Sequence, residues 1–237
     1  MARITRAKVY DFAATLPLIL CYGIGIAGLC VRLAADSAAL RDSFTATGLL
    51  NAVYESGTIV FLTLLMSLFV FRRVPTNGAK GVLPRAAAIL GANIQFLFLL
   101  LPRVENSFPI LLASTLVTLA GLFGSIYAAS FLGRSFSIMP QARKLVTAGP
   151  YRLVRHPLYL AEQIALFGIM WQFAQPFAFL IVITGFAIQF VRMHYEEQVL
   201  AETYPAYRAY MRTTGRILPR IASRDTRTVR DRAAAWQ

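Results

Sequence analysis

The 237-residue chain is 57% hydrophobic and only 15% charged, with a mean hydropathy of +0.57. A soluble domain carries about 25% charged residues, so this composition excludes an ordinary soluble enzyme and points to a membrane. The net charge of +13 would suit nucleic acid, but no segment reads as a nucleic-acid module. In so apolar a chain the basic residues mark topology and attraction to anionic headgroups, worth about 1 kcal/mol each near the surface.

Apolar residues arrive in blocks close to the roughly 20 residues that cross a bilayer. In chain order they cover 12–33, 53–71, 85–101, 108–131, 157–174 and 176–191. The expected fold is all-α: a polytopic transmembrane bundle of about six hydrophobic helices. The last two are shorter and separated only by Gln175-Pro176, which predicts a tight helical hairpin. A hairpin that enters and returns on one side would leave four or five true spans. The first block, preceded by Arg3, Arg6 and Lys8, reads as a retained span rather than a removed signal. Cys21 and Cys30 fall inside that block, point to different faces, and imply neither a disulfide nor a metal site. Gly23, Gly25 and Gly28 fit the dinucleotide pattern GxGxxG, yet inside an apolar span small residues serve close helix packing.

Charge sets the expected orientation. Of the 24 Lys and Arg residues, all but Arg32, Arg41 and Arg103 fall in segments on one side of the six-block topology. The positive-inside rule then places both termini in the cytoplasm. Three regions follow: 1–131 with four spans, 132–220 where ionisable and aromatic residues gather, and 221–237 as a basic, flexible tail.

The chemistry concentrates in the second region. Gly149-Pro150 marks a turn, and Pro157 suits the first position of a helix. Tyr151, Arg155 and His156 therefore occupy a loop at the cytoplasmic mouth, with Tyr159 in the first helical turn. A helix start with free N–H groups favours a carboxylate. The second cluster, Arg192-Met193-His194-Tyr195-Glu196-Glu197, follows the sixth block. In a continuing helix Arg192 and Glu196 share a face at i and i+4, while Glu197 points about 100° away. Plainer accounts exist for each: Arg155 as a topological anchor, Arg192 and Glu196 as a minor ion pair, the tyrosines as an interfacial belt. That both clusters converge at the ends of one hairpin favours a site.

The composite pattern, GPYRxxRHPxY over 149–159, RxxxEE over 192–197, then Tyr207 and Pro219, resembles the isoprenylcysteine carboxyl methyltransferase and phospholipid methyltransferase superfamily. The resemblance covers roughly residues 132–220. It implies S-adenosylmethionine as cofactor, bound near the cytosolic face. By similarity Leu145 and Val146 would line the cofactor pocket together with Tyr151, His156, Pro157, Leu158 and Tyr159, with Lys144 a lesser contributor. Glu196 would contact the cofactor, and Arg192 would hold an acidic group of the substrate near the methyl. Ala161 stands where many relatives carry Gly, and Tyr204-Pro205 replaces a more usual Gly-acidic pair.

The implied function is methyl transfer to a lipophilic small molecule or lipid held among membrane lipids. A carboxylate acceptor needs only a cation to position it; an amine must lose a proton, for which Glu196, Glu197 or His194 is available. The alternative is an NADPH-dependent reductase of the sterol or steroid kind, against which Leu158 stands where those relatives often carry Asn. A non-enzymatic scaffold is the third reading. No metal is implied, and the sequence names neither the acceptor nor the oligomeric state.

Overall fold

A computed structural model of the chain describes residues 16–73 and 75–220. The basic tail expected at 221–237 and the N-terminal basic cluster lie outside the described residues.

Helix α1 spans Leu16–Asp42 and α2 Ala46–Phe71, with Thr45 capping α2 by accepting from the Gly48 N–H at 3.1 Å. Helix α3 covers Val82–Asn93 and tightens into 3₁₀ turns over Ile94–Leu100. Helix α4, Phe108–Leu132, and α5, Pro157–Ile169, each begin with Pro in the first turn, where its missing N–H costs nothing. A 3₁₀ turn over Met170–Gln172 extends α5. After a cis Gln175–Pro176 bond, α6 runs through Phe177–Thr203, and α7 follows at Pro205–Thr213. Two short strands, β1 at Asn77–Gly78 and β2 at Gln141–Ala142, pair antiparallel.

Four of these helices, α1, α2, α4 and α6, are long and apolar enough to cross a membrane. The blocks expected at 85–101 and 157–174 form shorter helices. Helix α5 with its 3₁₀ extension, at 1.5 Å per residue, reaches about 24 Å against about 30 Å of bilayer core. The sixth block extends further than hydropathy indicated, because the helix continues through the charged run to Thr203. At about 40 Å it outlasts the hydrocarbon core, and Glu196 lies about 30 Å from its start. The second cluster is thus one continuous helical surface.

The connections sort to two ends of the bundle. At one end the loop after α2 is fastened to the loop after α4. Thr76 N–H donates to the Ala142 carbonyl at 2.8 Å, Ala79 N–H to Pro140 at 2.9 Å, and Arg73 N–H to Arg134 at 2.8 Å. Asn77 Nδ2 donates to Thr203 Oγ1 at 3.1 Å, tying the end of α6 to the same place. At the other end the segment after α3 meets the one after α5: Val104 N–H donates to Gln172 and Ala174 N–H to Pro102, each at 3.1 Å.

The α5–α6 hairpin exists, but α5 is gripped most closely by α4. A Cβ on Gly121 would collide with the α5 backbone at Ala161 and Ala165, and one on Gly168 with Thr118. Ser114 Oγ donates to the Gly168 carbonyl at 2.9 Å. Small residues let two backbones touch where lipid supplies no hydrophobic drive. Ala161 belongs to this seam, where it meets Gly124. Two apolar clusters complete the packing. One joins α1 and α2 to α3 through Tyr22, Leu65, Phe69 and Ala88, and the other joins α6 to the ends of α3 and α5 through Ile94, Phe98, Met170 and Ile181.

Candidate active site

The site begins with a turn. Gly149 adopts φ +59°, open to glycine at little cost, and the Phe131 ring at the end of α4 occupies the space a Cβ would need. The 3₁₀ turn Gly149–Arg152 turns Tyr151 inward, leaving it 5% exposed. His156 and Tyr159 then stack, with centroids 5.5 Å apart and planes 5° from parallel.

Glu197 fixes this loop. Its buried carboxylate pairs with Arg155 Nε at 2.9 Å, with His156 Nε2 at 3.1 Å, and with the Arg216 guanidinium. Arg155 also donates through Nη1 to the Met211 carbonyl at 2.9 Å and the Thr214 carbonyl at 2.7 Å. Backbone bonds from Arg155 to Gly215 at 2.8 Å and from His156 to Arg216 at 3.0 Å complete the latch. Three chain segments, the 154–156 loop, α6 and the stretch after α7, are joined at one carboxylate. The latch satisfies Glu197, which the sequence offers as one of three proton acceptors.

Between the loop, α6, α7 and the segment after α4 lies a cleft enclosing about 740 Å³, solvent at its mouth included. Lys144, Leu145, Val146, Tyr151, His156, Leu158, Tyr159 and Glu196 all line it. Pro157 is buried beside them at the start of α5. The Tyr151 hydroxyl, buried, has no hydrogen-bond partner among the described residues, while its carbonyl accepts from Tyr210 Oη. Burial raises the Tyr151 phenol well above its ordinary value, and that of Tyr210 up to about 12, so both stay protonated donors at neutral pH.

Arg192 is placed differently. It is 4% exposed and absent from the cleft lining; its guanidinium carbon lies 4.6 Å from the Tyr159 ring centroid. Tyr159 Oη in turn donates to Glu196 Oε1. Arg192 Nη1 donates to Gln189 Oε1 at 2.8 Å, and Gln189 Nε2 donates to Glu162 Oε2 at 3.0 Å. The expected i, i+4 face of Arg192 and Glu196 is therefore bridged by an aromatic ring from α5. His194 lies outside the cleft, exposed and bonded to Gln198 at 3.0 Å.

Sequence reasoning missed Glu162 and Gln189, although a lone carboxylate inside an apolar block is a functional signal in its own right. It also missed the Gln141 and Arg143 wall of the cleft, bonded to each other at 2.8 Å, because β2 pairing brings them there and no local pattern announces it.

The phospholipid methyltransferase family model matches residues 105–207, from just before α4 into α7. The match covers less than half of the chain, and over that segment the chain is similar to this family, which lies in the isoprenylcysteine and phospholipid methyltransferase superfamily. The segment contains every residue singled out for cofactor binding or catalysis. With the four long apolar helices, the match makes the chain an integral membrane protein.

Two curated proteins are similar over parts of their length. The cobalt-zinc-cadmium resistance protein CzcN of Cupriavidus metallidurans is 30% identical over 79 residues, 33% of this chain and 37% of the relative. The nickel-cobalt-cadmium resistance protein NccN of Alcaligenes xylosoxydans xylosoxydans is 26% identical over 113 residues, 47% of this chain and 49% of the relative. The chain thus matches half or less of the length of these relatives.

Proposed function

We propose that the chain is a membrane methyltransferase that uses S-adenosylmethionine and methylates a lipophilic acceptor, an isoprenylcysteine-like carboxylate or another lipid, at the cytosolic face. The observation that carries this reading is the convergence of Leu145, Val146, Tyr151, His156, Leu158, Tyr159 and Glu196 on one cleft inside the family-matched segment.

The donor set fits the cofactor. An apolar wall from Leu145, Val146 and Leu158 suits a base and thioether, and a carboxylate at Glu196 suits hydroxyls or a positive centre. The buried Tyr151 hydroxyl offers a donor that the protein itself leaves unused, and an unpaired buried polar group costs about 1–3 kcal/mol until a ligand satisfies it. When bound, S-adenosylmethionine supplies a methyl already activated on a sulfonium, so the chain contributes orientation and electrostatics. Glu197 holds His156 and the loop in register. Tyr159 directs Glu196 by hydrogen bond, and Arg192 supports the Tyr159 ring from behind while supplying positive potential to an anionic acceptor. For an amine acceptor, Glu196 is the carboxylate within the cleft that can accept its proton.

The clustering of the basic loops 72–85 and 134–155 and the end of α6 at one end of the bundle, joined by β1 and β2, supports a cytoplasmic mouth through the positive-inside rule. We extend the three-region division to the same reading: α1–α3 and most of α4 hold the acceptor side in the membrane, and 132–220 carries transfer. The resistance named for the two relatives carries over as an expected phenotype: loss of the chain lowers tolerance to cobalt or cadmium. Titration of the purified chain with S-adenosylmethionine and, separately, NADPH tests the proposal. Saturable binding of the first supports it, and binding of NADPH alone transfers the chain to the reductase reading.

A further inference from the structure

At the end of the bundle opposite the cleft, a second hollow enclosing about 610 Å³, solvent at its mouth included, opens among α1, α2, α4 and the two connecting segments. Arg32, Asp36, Asn51, Glu55, Arg103 and Gln172 line it, and the proposed transfer uses none of them. Glu55 is 6% exposed. Its Oε1 lies 3.8 Å from Arg32 Nε, while its Oε2 has no hydrogen-bond partner among the described residues. Asp36 and Arg103 line the same hollow as that carboxylate, and Arg103 is seated with its guanidinium carbon 5.8 Å from the Phe173 ring centroid. A carboxylate this deep in an apolar helix is costly and marks a site.

The hollow carries two guanidiniums and two carboxylates. A simple anion would meet Glu55 and Asp36, and a simple cation would meet Arg32 and Arg103. A divalent metal finds no group of three His, Cys, Asp or Glu among the described residues. What matches both signs at once is a ligand that carries both. We propose that this hollow binds a zwitterion bearing an ammonium and a phosphate, the ammonium at Glu55 and Asp36 and the phosphate between Arg32 and Arg103. Arginine forks suit phosphate oxygens, and the orphaned Glu55 oxygen suits an ammonium. Such a group comes either from an aminophospholipid of the membrane or from a soluble phosphoamine. The lipid source is favoured by a neighbouring hollow whose lining, Ile110, Val117, Phe167 and Trp171 among it, is apolar and suits an acyl chain. The two hollows flank the Gln172–Ser114 hydrogen bond of 2.9 Å.

The test is independent of the transfer reading. Full-length protein in detergent is titrated with short-chain phosphatidylethanolamine, phosphatidylglycerol and phosphoethanolamine, following the thermal midpoint and retention in native mass spectrometry. Phosphatidylethanolamine is expected to bind and raise the midpoint, and Glu55→Gln to weaken it about tenfold or more. Phosphoethanolamine competing at equal affinity assigns the site to the soluble ligand; its failure to compete assigns it to the lipid. Arg103→Gln gives an independent reading should Glu55→Gln not fold. Equal binding of phosphatidylglycerol, or wild-type affinity in both variants, overturns the proposal.

Discussion

The guanidinium of Arg192 faces the Tyr159 ring at 4.6 Å, and the hydroxyl of that same ring donates to Glu196. One tyrosine from α5 therefore couples the two ionisable residues of α6 that the sequence singled out. A cation over an aromatic face contributes about 2 kcal/mol when desolvated. Tyr159→Phe keeps the ring and removes the donation to Glu196, so affinity for S-adenosylmethionine is expected to fall about fivefold to tenfold, near 1 kcal/mol. Calorimetric titration of the variant checks this; unchanged affinity would place Glu196 outside the cofactor contacts.

Arg192→Lys is not a conservative change here, because the planar fork spans Gln189 and the ring at once. With an anionic acceptor kcat is expected to drop while cofactor affinity changes little. Equal turnover in wild type and variant would point to an amine or thiol acceptor.

Tyr151→Phe removes a hydroxyl that bonds nothing in the described protein. The unliganded protein should lose no stability and can gain about 1 kcal/mol, while cofactor affinity falls. Thermal melts with and without S-adenosylmethionine separate the two effects. A variant that melts lower without ligand would show that the hydroxyl has a structural partner instead.

Glu197→Gln leaves Arg155, His156 and Arg216 around a neutral amide. Breaking a buried, multiply bonded carboxylate costs about 3–5 kcal/mol. The expected result is a lower thermal midpoint and faster amide exchange at 154–156 and 214–216, with the α4–α5 seam unaffected. Uniform loosening of the whole bundle would contradict the latch.

The α4–α5 seam gives a contrast within one helix. Gly121→Val forces a side chain into the α5 backbone and should prevent stable folding. Gly124→Ala meets only the Ala161 methyl at 3.1 Å and should cost about 1 kcal/mol or less. Fluorescence-detected gel filtration of the two variants distinguishes them.

Much of the site was legible because its signals are local. Gly149-Pro150, His156-Pro157 and the Arg192–Glu197 run each declare a turn, a helix start or a charged helical face within a few residues. Their convergence followed from the hairpin, and the structure places eight of the selected residues around one cleft. What stayed hidden depends on distant pairing. The latch needs Arg216 to return to Glu197 across nineteen positions, and the Gln141–Arg143 wall needs β1 to find β2. Hydropathy also ended α6 near Val191, because a window average falls where Arg192 enters. The backbone continues to Thr203, since Met193, Glu196, Gln198 and Leu200 are good helix formers. Arg192 illustrates the difference: spacing put it beside Glu196, but spacing along one helix cannot reveal a ring inserted from another.

The central claim is tested most directly by isothermal titration of S-adenosylmethionine into the purified full-length protein, beside Glu196→Gln and Tyr151→Phe. Saturable binding at one site, weakened in both variants, is the predicted result. No binding to the wild type, or binding that both variants leave unchanged, would contradict the assignment of this cleft to the cofactor.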